Sequence, residues 1–202
     1  MLLGFVLLLV ACAPVQAQEP EHLCNGKSAT IYAVSHTDVP RTGPLEVLGT
    51  DGDDVIVVDG DGIYPSDKAW VWGASGNDTI CIDTDDAVVW GGPGDDWISG
   101  GPSEDWLKGQ RGADVIFGNG GHDVIWGGGG ADELHGGNGN DQMKGDEQPD
   151  LIFGDDGDDQ ITGDRQEDVI DCGEGEDYAS GDGGRDETDY LDVIVNCEAV
   201  LQ

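Results

Sequence analysis

The stretches Gly91–Ser99 (GGPGDDWIS), Gly127–His135 (GGGGADELH) and Gly136–Lys144 (GGNGNDQMK) are three copies of one nonapeptide pattern. The pattern runs thirteen times in unbroken register from Gly73 to Asp189. Glycine opens eleven of the thirteen units, aspartate holds the sixth position in twelve, and the eighth position is almost always aliphatic. A fixed period over this length predicts a repeat architecture.

The composition of each unit predicts a turn followed by a short strand. Glycine permits the positive φ angles of a tight turn, and the three residues around position eight form the strand. Within that strand, positions seven and nine face one way and position eight faces the core. One such strand buries nothing alone, so successive coils must stack as a solenoid, with two nonapeptides making one coil of 18 residues.

The aspartates of position six then stack along two edges of the solenoid, at the interstrand spacing of roughly 4.8 Å. Stacked carboxylates repel one another, and a divalent cation that prefers oxygen ligands would relieve this repulsion. Calcium accepts six to eight oxygens in irregular geometry, so we expect calcium rather than magnesium. The first edge carries Asp78, Asp96, Asp114, Asp132, Asp150, Asp168 and Asp186, and the second carries Asp105, Asp123, Asp141, Asp159 and Asp177.

The units resemble the hemolysin-type (RTX) calcium-binding repeat, whose consensus is GGxGxDxUx. The resemblance covers Gly73–Asp189 and an earlier unit, Gly49–Val57, which adds Asp54; its departures include Ser103, Gln148 and Gln166 at the fourth position. It implies a parallel β-roll that holds calcium between successive turns, with about ten ions as an upper-range figure. Turn carbonyls would complete the sites, such as those of Gly91, Gly92, Gly94, Gly109, Gly112, Gly127, Gly128, Gly130, Gly136, Gly137 and Gly139.

The charge limits the partners. The 202 residues carry a formal net charge of −35 with only eight Lys plus Arg, which argues against nucleic acid or an anionic membrane as partner. An acidic, glycine-rich chain without metal is expected to be disordered. With calcium bound, the binding free energy becomes folding free energy.

The amino terminus, residues 1–17, reads as an export signal. Two processing sites compete: a lipobox at Leu9–Cys12, which would make Cys12 the lipidated first residue, and signal peptidase cleavage after Ala17. Either predicts an extracellular or envelope-attached protein, with membrane contact only through a lipid anchor. Cleavage leaves an even number of cysteines in an exported chain, and proximity favours the disulfides Cys24–Cys81 and Cys172–Cys197, with unpaired thiols as the alternative.

The remaining chain organises around the roll. Residues 18–48 form a leader and amino-terminal cap, 49–189 the roll with a loop at 58–63, and 190–202 a carboxy-terminal cap. The sequence therefore predicts an all-β fold, a parallel β-roll with short terminal capping strands. Segments 18–48 and 190–202 are too small for a catalytic domain, so we expect no enzyme; a calcium-folded accessory region of an enzyme is a weaker alternative.

Five of the six tryptophans share one outer face, which we name the Trp face: Trp70, Trp72, Trp90, Trp106 and Trp126. An exposed apolar patch usually marks an interface, and stacked indoles could bind sugar rings or a protein. The competing interpretation is a lid formed by residues 19–48 or by the 58–63 loop. An adhesive or glycan-binding module is thus the alternative function.

Overall fold

The computed structural model describes residues 23–34, 45–59, 68–84, 86–181 and 193–201. The expected export signal, Cys12 and Asp186 lie outside these residues. The described chain is all strand and turn, and none of it forms a helix long and apolar enough to cross a membrane.

Two nine-stranded parallel sheets face each other, and the chain alternates between them at every nonapeptide. Sheet 1 contains β3 (Ile31–Val34), β5 (Val55–Asp59), β7 (Thr79–Asp83), β9 (Trp97–Ser99), β11 (Val115–Gly120), β13 (Glu133–Asn138), β15 (Leu151–Asp156), β17 (Val169–Asp171) and β19 (Val193–Val195). Sheet 2 contains β4 (Leu45–Leu48), β6 (Ala69–Trp72), β8 (Ala87–Pro93), β10 (Trp106–Arg111), β12 (Val124–Gly129), β14 (Gln142–Glu147), β16 (Gln160–Asp164), β18 (Tyr178–Ser180) and β20 (Ala199–Leu201).

The strand register confirms the 18-residue coil. Leu107 pairs with Ile125, and Ile125 pairs with Met143, so identical positions of the repeat lie directly above one another. The strands are longer than the predicted three residues, because β10 to β15 continue through the first three positions of the next unit. Residues at positions two and three of the next unit continue the parallel pairing between strands. The turn therefore covers positions four to six, rather than the six positions that the sequence suggested.

The core is a single file of position-eight side chains from each sheet, as the sequence predicts. Sheet 1 contributes Ile56, Ile80, Ile98, Ile116, Leu134, Ile152 and Ile170, and sheet 2 contributes Val71, Val89, Leu107, Ile125, Met143, Ile161 and Ala179. All of these are buried. Since the file is narrow, each coil depends on its neighbours for burial.

Both ends of the roll are tied by disulfides, and the two expected pairings, Cys24–Cys81 and Cys172–Cys197, are confirmed. A short antiparallel hairpin, β1 (Leu23–Cys24) with β2 (Lys27–Ser28), precedes the roll. Its Cys24 packs with Val55 and Val57 on the outer face of sheet 1.

The expected loop at 58–63 begins later than the sequence suggested. Val58 and Asp59 belong to β5 and pair with Ile82 and Asp83 of β7, while residues 60–63 lie outside the described chain. Val58 is fully buried, so its side chain contributes to the core.

Candidate metal centre

Two ladders of buried aspartates run along the two edges of the roll. On each edge, the backbone N–H of one ladder residue donates to Oδ1 of the aspartate in the next coil, with N···O distances of 2.6–2.9 Å. Ladder 1 contains Asp54, Asp78, Asp96, Asp114, Asp132, Asp150 and Asp168, and ladder 2 contains Asp105, Asp123, Asp141, Asp159 and Asp177. Each carboxylate is therefore oriented by the coil that precedes it.

The second oxygen, Oδ2, has no hydrogen-bond partner among the described residues in most of these aspartates. This holds for Asp78, Asp96, Asp114, Asp123, Asp132, Asp141, Asp150, Asp159 and Asp177. A buried carboxylate oxygen without a partner costs free energy unless a cation or donor satisfies it. The ladders therefore present aligned, unsatisfied anionic oxygens, which is the property that a calcium site requires.

The opening glycine of each unit makes room for that oxygen. A β-carbon at Gly109 would collide with Oδ2 of Asp114 and lie 2.8 Å from the carbonyl oxygen of Gly127 in the next coil. The same pair of oxygens surrounds Gly100, whose β-carbon would lie 2.7 Å from Asp105 Oδ2 and 2.8 Å from the Gly118 carbonyl. Carboxylate and main-chain carbonyl oxygens thus converge beside most of the opening glycines.

No group of three or more Asp, Glu, His or Cys side chains converges on one point in the described parts of the chain. Each coil supplies one ladder carboxylate per edge, so the ladders alone cannot surround an ion. Calcium requires six to eight oxygens, and the turn carbonyls are the oxygens that can complete this number. The donor set contains only oxygen, as calcium prefers.

Burial raises the pKa of the ladder carboxyls, and neighbouring carboxylates raise it further, while the hydrogen bond from the preceding N–H lowers it. The pKa reaches about 8 for Asp123 and Asp150, about 7 for Asp96, Asp114 and Asp159, and about 6 for Asp105 and Asp132. The pKa of Asp78 and of Asp141 is also raised, chiefly by burial. Without a cation, Asp123 and Asp150 therefore favour the protonated form at neutral pH.

The first described aspartate of each ladder differs from those that follow. Asp54 Oδ2 accepts hydrogen bonds from the Thr50 N–H (2.7 Å) and hydroxyl (2.9 Å), and Asp105 Oδ2 accepts one from the Gly101 N–H (2.7 Å). The turns at 49–54 and 100–105 contain no residue with positive φ, unlike the turns that follow each of them along its own ladder. Thr50 and Ser103 stand where the consensus has glycine, at positions two and four. The loss of glycine alone does not signal the difference, because Gln110 at position two and Gln148 at position four keep a positive φ.

Not every departure from the consensus changes the turn. Gln148 and Gln166 replace the fourth-position glycine, yet both keep a positive φ of 78°. A non-glycine residue rarely adopts this conformation, so the stacked neighbours must hold it. These two turns therefore retain the geometry of the glycine turns.

Apolar side chains replace the ladder at the amino-terminal end of the second edge. Ala87 stands at the aspartate position, and Ile82 stands at the opening glycine of the same unit; both are buried. Ala69 pairs with Ala87, and Leu45 pairs with Ala69, which extends the apolar edge to the first coil. Packing replaces the carboxylate there.

The comparison with known families follows this geometry. The RTX calcium-binding nonapeptide repeat (4 copies) matches the chain in overlapping segments at residues 83–116, 90–125, 99–134, 108–143, 135–170 and 153–187. Together they run without a gap from residue 83 to 187, a little over half of the chain. The chain belongs to the RTX calcium-binding repeat family. No curated protein matches this RTX chain.

The Trp face lies on the outer surface of sheet 2, where the sequence placed it. Trp106 is 57% exposed, Trp70 38% and Trp126 37%, so this face is open to solvent at these rings. The expected lid is not found in the described part of the leader, because the hairpin β1–β2 packs on sheet 1 and Leu45–Leu48 pairs edge to edge with β6. Residues 35–44 and 60–67 lie outside the described chain.

Two features of this RTX roll were not anticipated from the sequence. The first is a pair of outer ladders at position five, in which a backbone N–H donates to the position-five side chain of the coil before it. The Asp158 N–H donates to Asn140 Oδ1, and the Glu176 N–H donates to Asp158 Oδ1. The sequence signal for these outer ladders was the recurrence of Asn and Asp every 18 residues at position five. The second feature is a groove of about 670 Å³ on sheet 2, next to the Trp face.

Proposed function

We propose that this protein is a non-enzymatic, exported calcium-binding β-roll that folds when calcium binds along its aspartate ladders. The observation that carries the proposal is the row of buried Oδ2 atoms without a partner, aligned at the coil spacing beside turn carbonyls. Bound calcium supplies positive charge to these oxygens. The residues of the chain orient the carboxylates through the N–H of the preceding coil and exclude water through the position-eight core.

We propose calcium between adjacent aspartates from Asp78 onward in ladder 1 and from Asp123 onward in ladder 2. The N–H groups that point at Oδ2 of Asp54 and Asp105 repel a cation, which makes these two residues poor ligands. This assignment leaves about eight ions along the described ladders, below the upper figure of ten that the repeat count gives.

The decisive experiment is far-UV circular dichroism of the chain Gln18–Gln202, titrated with calcium or magnesium after chelator treatment. We expect a cooperative gain of β signal with calcium alone. The matched variants are Asp159→Asn, which removes a ladder ligand, and Asp158→Asn, which makes the same charge change at its exposed neighbour. A β signal that persists in chelator above pH 8, where the ladder carboxyls are ionised, or equal calcium midpoints for both variants, would contradict the proposal.

Export is proposed from the amino-terminal sequence and is supported by two disulfides, which persist in oxidising compartments. Lipidation at Cys12 and cleavage after Ala17 remain the two candidate routes. Incorporation of labelled fatty acid into the wild-type chain, and its loss in Cys12→Ser, would assign the lipoprotein route. A mature mass beginning at Gln18 would assign ordinary secretion.

A partner surface on sheet 2 is the second candidate function, favoured by the exposed Trp106 and Trp126. The rings of Trp72 and Trp90 stack on each other with centroids 5.0 Å apart and 6° between planes. One face of each of these two rings is therefore covered by the other. Besides Trp70, the exposed aromatic surface is at Trp106 and Trp126, whose centroids are 6.4 Å apart and whose planes are tilted by 54°.

A further inference from the structure

The groove on the outer surface of sheet 2 is a polar slot, which lies beside Trp106 and Trp126. Its floor is the glycine pair Gly128–Gly129 of β12, which carries no side chain. In register on either side stand Gln110 and Arg111 of β10, and Asp146 and Glu147 of β14. The walls are two strand spacings apart, roughly 9–10 Å between backbones, which is wide enough for one pyranose ring.

The slot concentrates basic side chains that are scarce elsewhere in the chain. Lys108, Arg111, Lys144 and Arg165 line it, four of only eight Lys plus Arg in the protein. Two of these charges have carboxylate partners: Lys144 contacts Asp146 and lies 2.6 Å from Asp164, and Arg165 lies 3.0 Å from Glu147. The three carboxylates that line the slot therefore offset most of the charge of its four cations. The slot therefore offers many hydrogen-bond donors and acceptors with little net charge.

An apolar depression adjoins this slot. It is lined by Trp90, Trp106 and Trp126, and it shares Lys108 with the slot. The Lys108 ammonium lies 4.9 Å from the centroid of the Trp126 ring, an arrangement that fixes the lysine at the boundary. An aromatic surface thus adjoins the polar side chains of the slot on β10 and β12.

We propose that the slot and the adjoining depression bind a neutral saccharide chain. Sugar hydroxyls need both donors and acceptors, which Gln110, Arg111 and Glu147 provide, and the C–H face of the next ring packs on Trp106. An anionic polymer is disfavoured because the chain carries a net charge of −35 and two of the slot's four cations, Lys144 and Arg165, already have carboxylate partners. An apolar peptide would leave the polar floor and walls without partners.

The inference rests on the proposed calcium-folded roll and sharpens its second candidate function. Gly129 offers a clean test, because a β-carbon there would meet nothing closer than 3.8 Å and its register partners already carry large side chains. Gly129→Gln should therefore fill the slot without disturbing the fold. Gly120→Gln is the matched control at the equivalent position on sheet 1, where the nearest atom would lie at 3.7 Å.

The assay is affinity electrophoresis in native gels that contain calcium and, in separate gels, a neutral glucan, a mannan, a galactan or a polyuronate. We expect at least one neutral polysaccharide to retard the wild-type chain and the Gly120→Gln control, with apparent affinity about tenfold lower or worse for Gly129→Gln. Trp106→Ala, which truncates a largely exposed ring, should weaken retardation as well.

Retardation by the polyuronate alone, by none of the four polymers, or equally for Gly129→Gln and Gly120→Gln would overturn the saccharide assignment. Circular dichroism of the same samples with and without calcium reports separately on the folding proposal. A folded chain that binds no saccharide refutes only the slot. A chain that binds saccharide but keeps its β signal in chelator refutes only the calcium mechanism.

Discussion

In the unit at residues 82–90, an apolar pair, Ile82 and Ala87, replaces the glycine and aspartate of the other units. Substitution of this pair tests directly whether the two arrangements are interchangeable. Elsewhere the opening glycine leaves space that the sixth-position carboxylate fills, as at Gly100 and Asp105. Here Ile82 and Ala87 occupy the two positions, and Val58 lies in register beside Ile82. We therefore predict that Ile82→Gly and Ala87→Asp are each damaging alone and compensate for each other when combined.

The magnitudes follow from burial. Ile82 is 4% exposed, and its removal should cost about 3–5 kcal/mol through lost apolar contacts and the cavity that remains. Ala87→Asp alone places a carboxylate against Ile82 without a partner, at roughly 3–5 kcal/mol. In the double variant the carboxylate enters the space of the lost side chain and extends ladder 2 by one rung, so we expect a coupling of about 3 kcal/mol.

The assay is urea unfolding followed by circular dichroism in saturating calcium, with both disulfides intact. Ile82→Gly combined with Ile152→Val, a distant core change worth about 0.5–1.5 kcal/mol, is the control and should be additive. Additivity of Ile82→Gly and Ala87→Asp within about 0.5 kcal/mol would refute the exchange.

Three further predictions test the ladders and the amino-terminal end. Since burial raises the pKa of Asp123 to about 8, far above about 3.9 in an unfolded chain, the metal-free fold binds extra protons. Its β signal in chelator should be strongest near pH 4 and decline as pH rises through 6–8; a flat profile contradicts this. Gly109→Ala should raise the calcium midpoint by displacing the ladder carboxylate, whereas Gly129→Ala should not; equal midpoints would exclude this steric role. Removing Cys24–Cys81, whose residues are 57 apart, should cost about 4 kcal/mol in urea unfolding, and an unchanged midpoint would show that this end is stable without it.

The repeat period was sufficient to predict the roll, the 18-residue coil and the core, because a strict period fixes which residues stack. The two disulfides were predicted instead from the proximity of the cysteines to the ends of the roll. Neither the hydrogen bond that Oδ1 accepts from the preceding coil nor the partner of Oδ2 follows from the period. Both depend on the turn backbone, where Ser103 lacks the positive φ that Gln148 has at the same position of its unit. The sequence interpretation treated all such departures alike.

The non-repeating segments were harder to place. The sequence left open whether the leader covers the Trp face, because residues 23–28 lie outside the repeat period. The Cys24–Cys81 disulfide places the hairpin on sheet 1 instead. The slot on sheet 2 arises from lateral neighbours 18 residues apart, such as Arg111, Gly129 and Glu147. These neighbours become visible in the sequence only when the units are aligned in columns. The proposed function of the slot depends on positions at which the repeat consensus specifies no residue.

The two ends of the roll differ in their need for metal. The amino-terminal coils have an apolar edge, and their ladder residues Asp54 and Asp105 are satisfied by protein donors at Oδ2. Most later carboxylates accept an N–H of the preceding coil at Oδ1 and leave Oδ2 for a cation, as Asp123 does. We therefore expect the amino-terminal coils to keep their hydrogen-exchange protection at calcium concentrations too low to hold the later coils, because their polar groups are satisfied without metal. Loss of protection at both ends over the same calcium range would contradict this expectation.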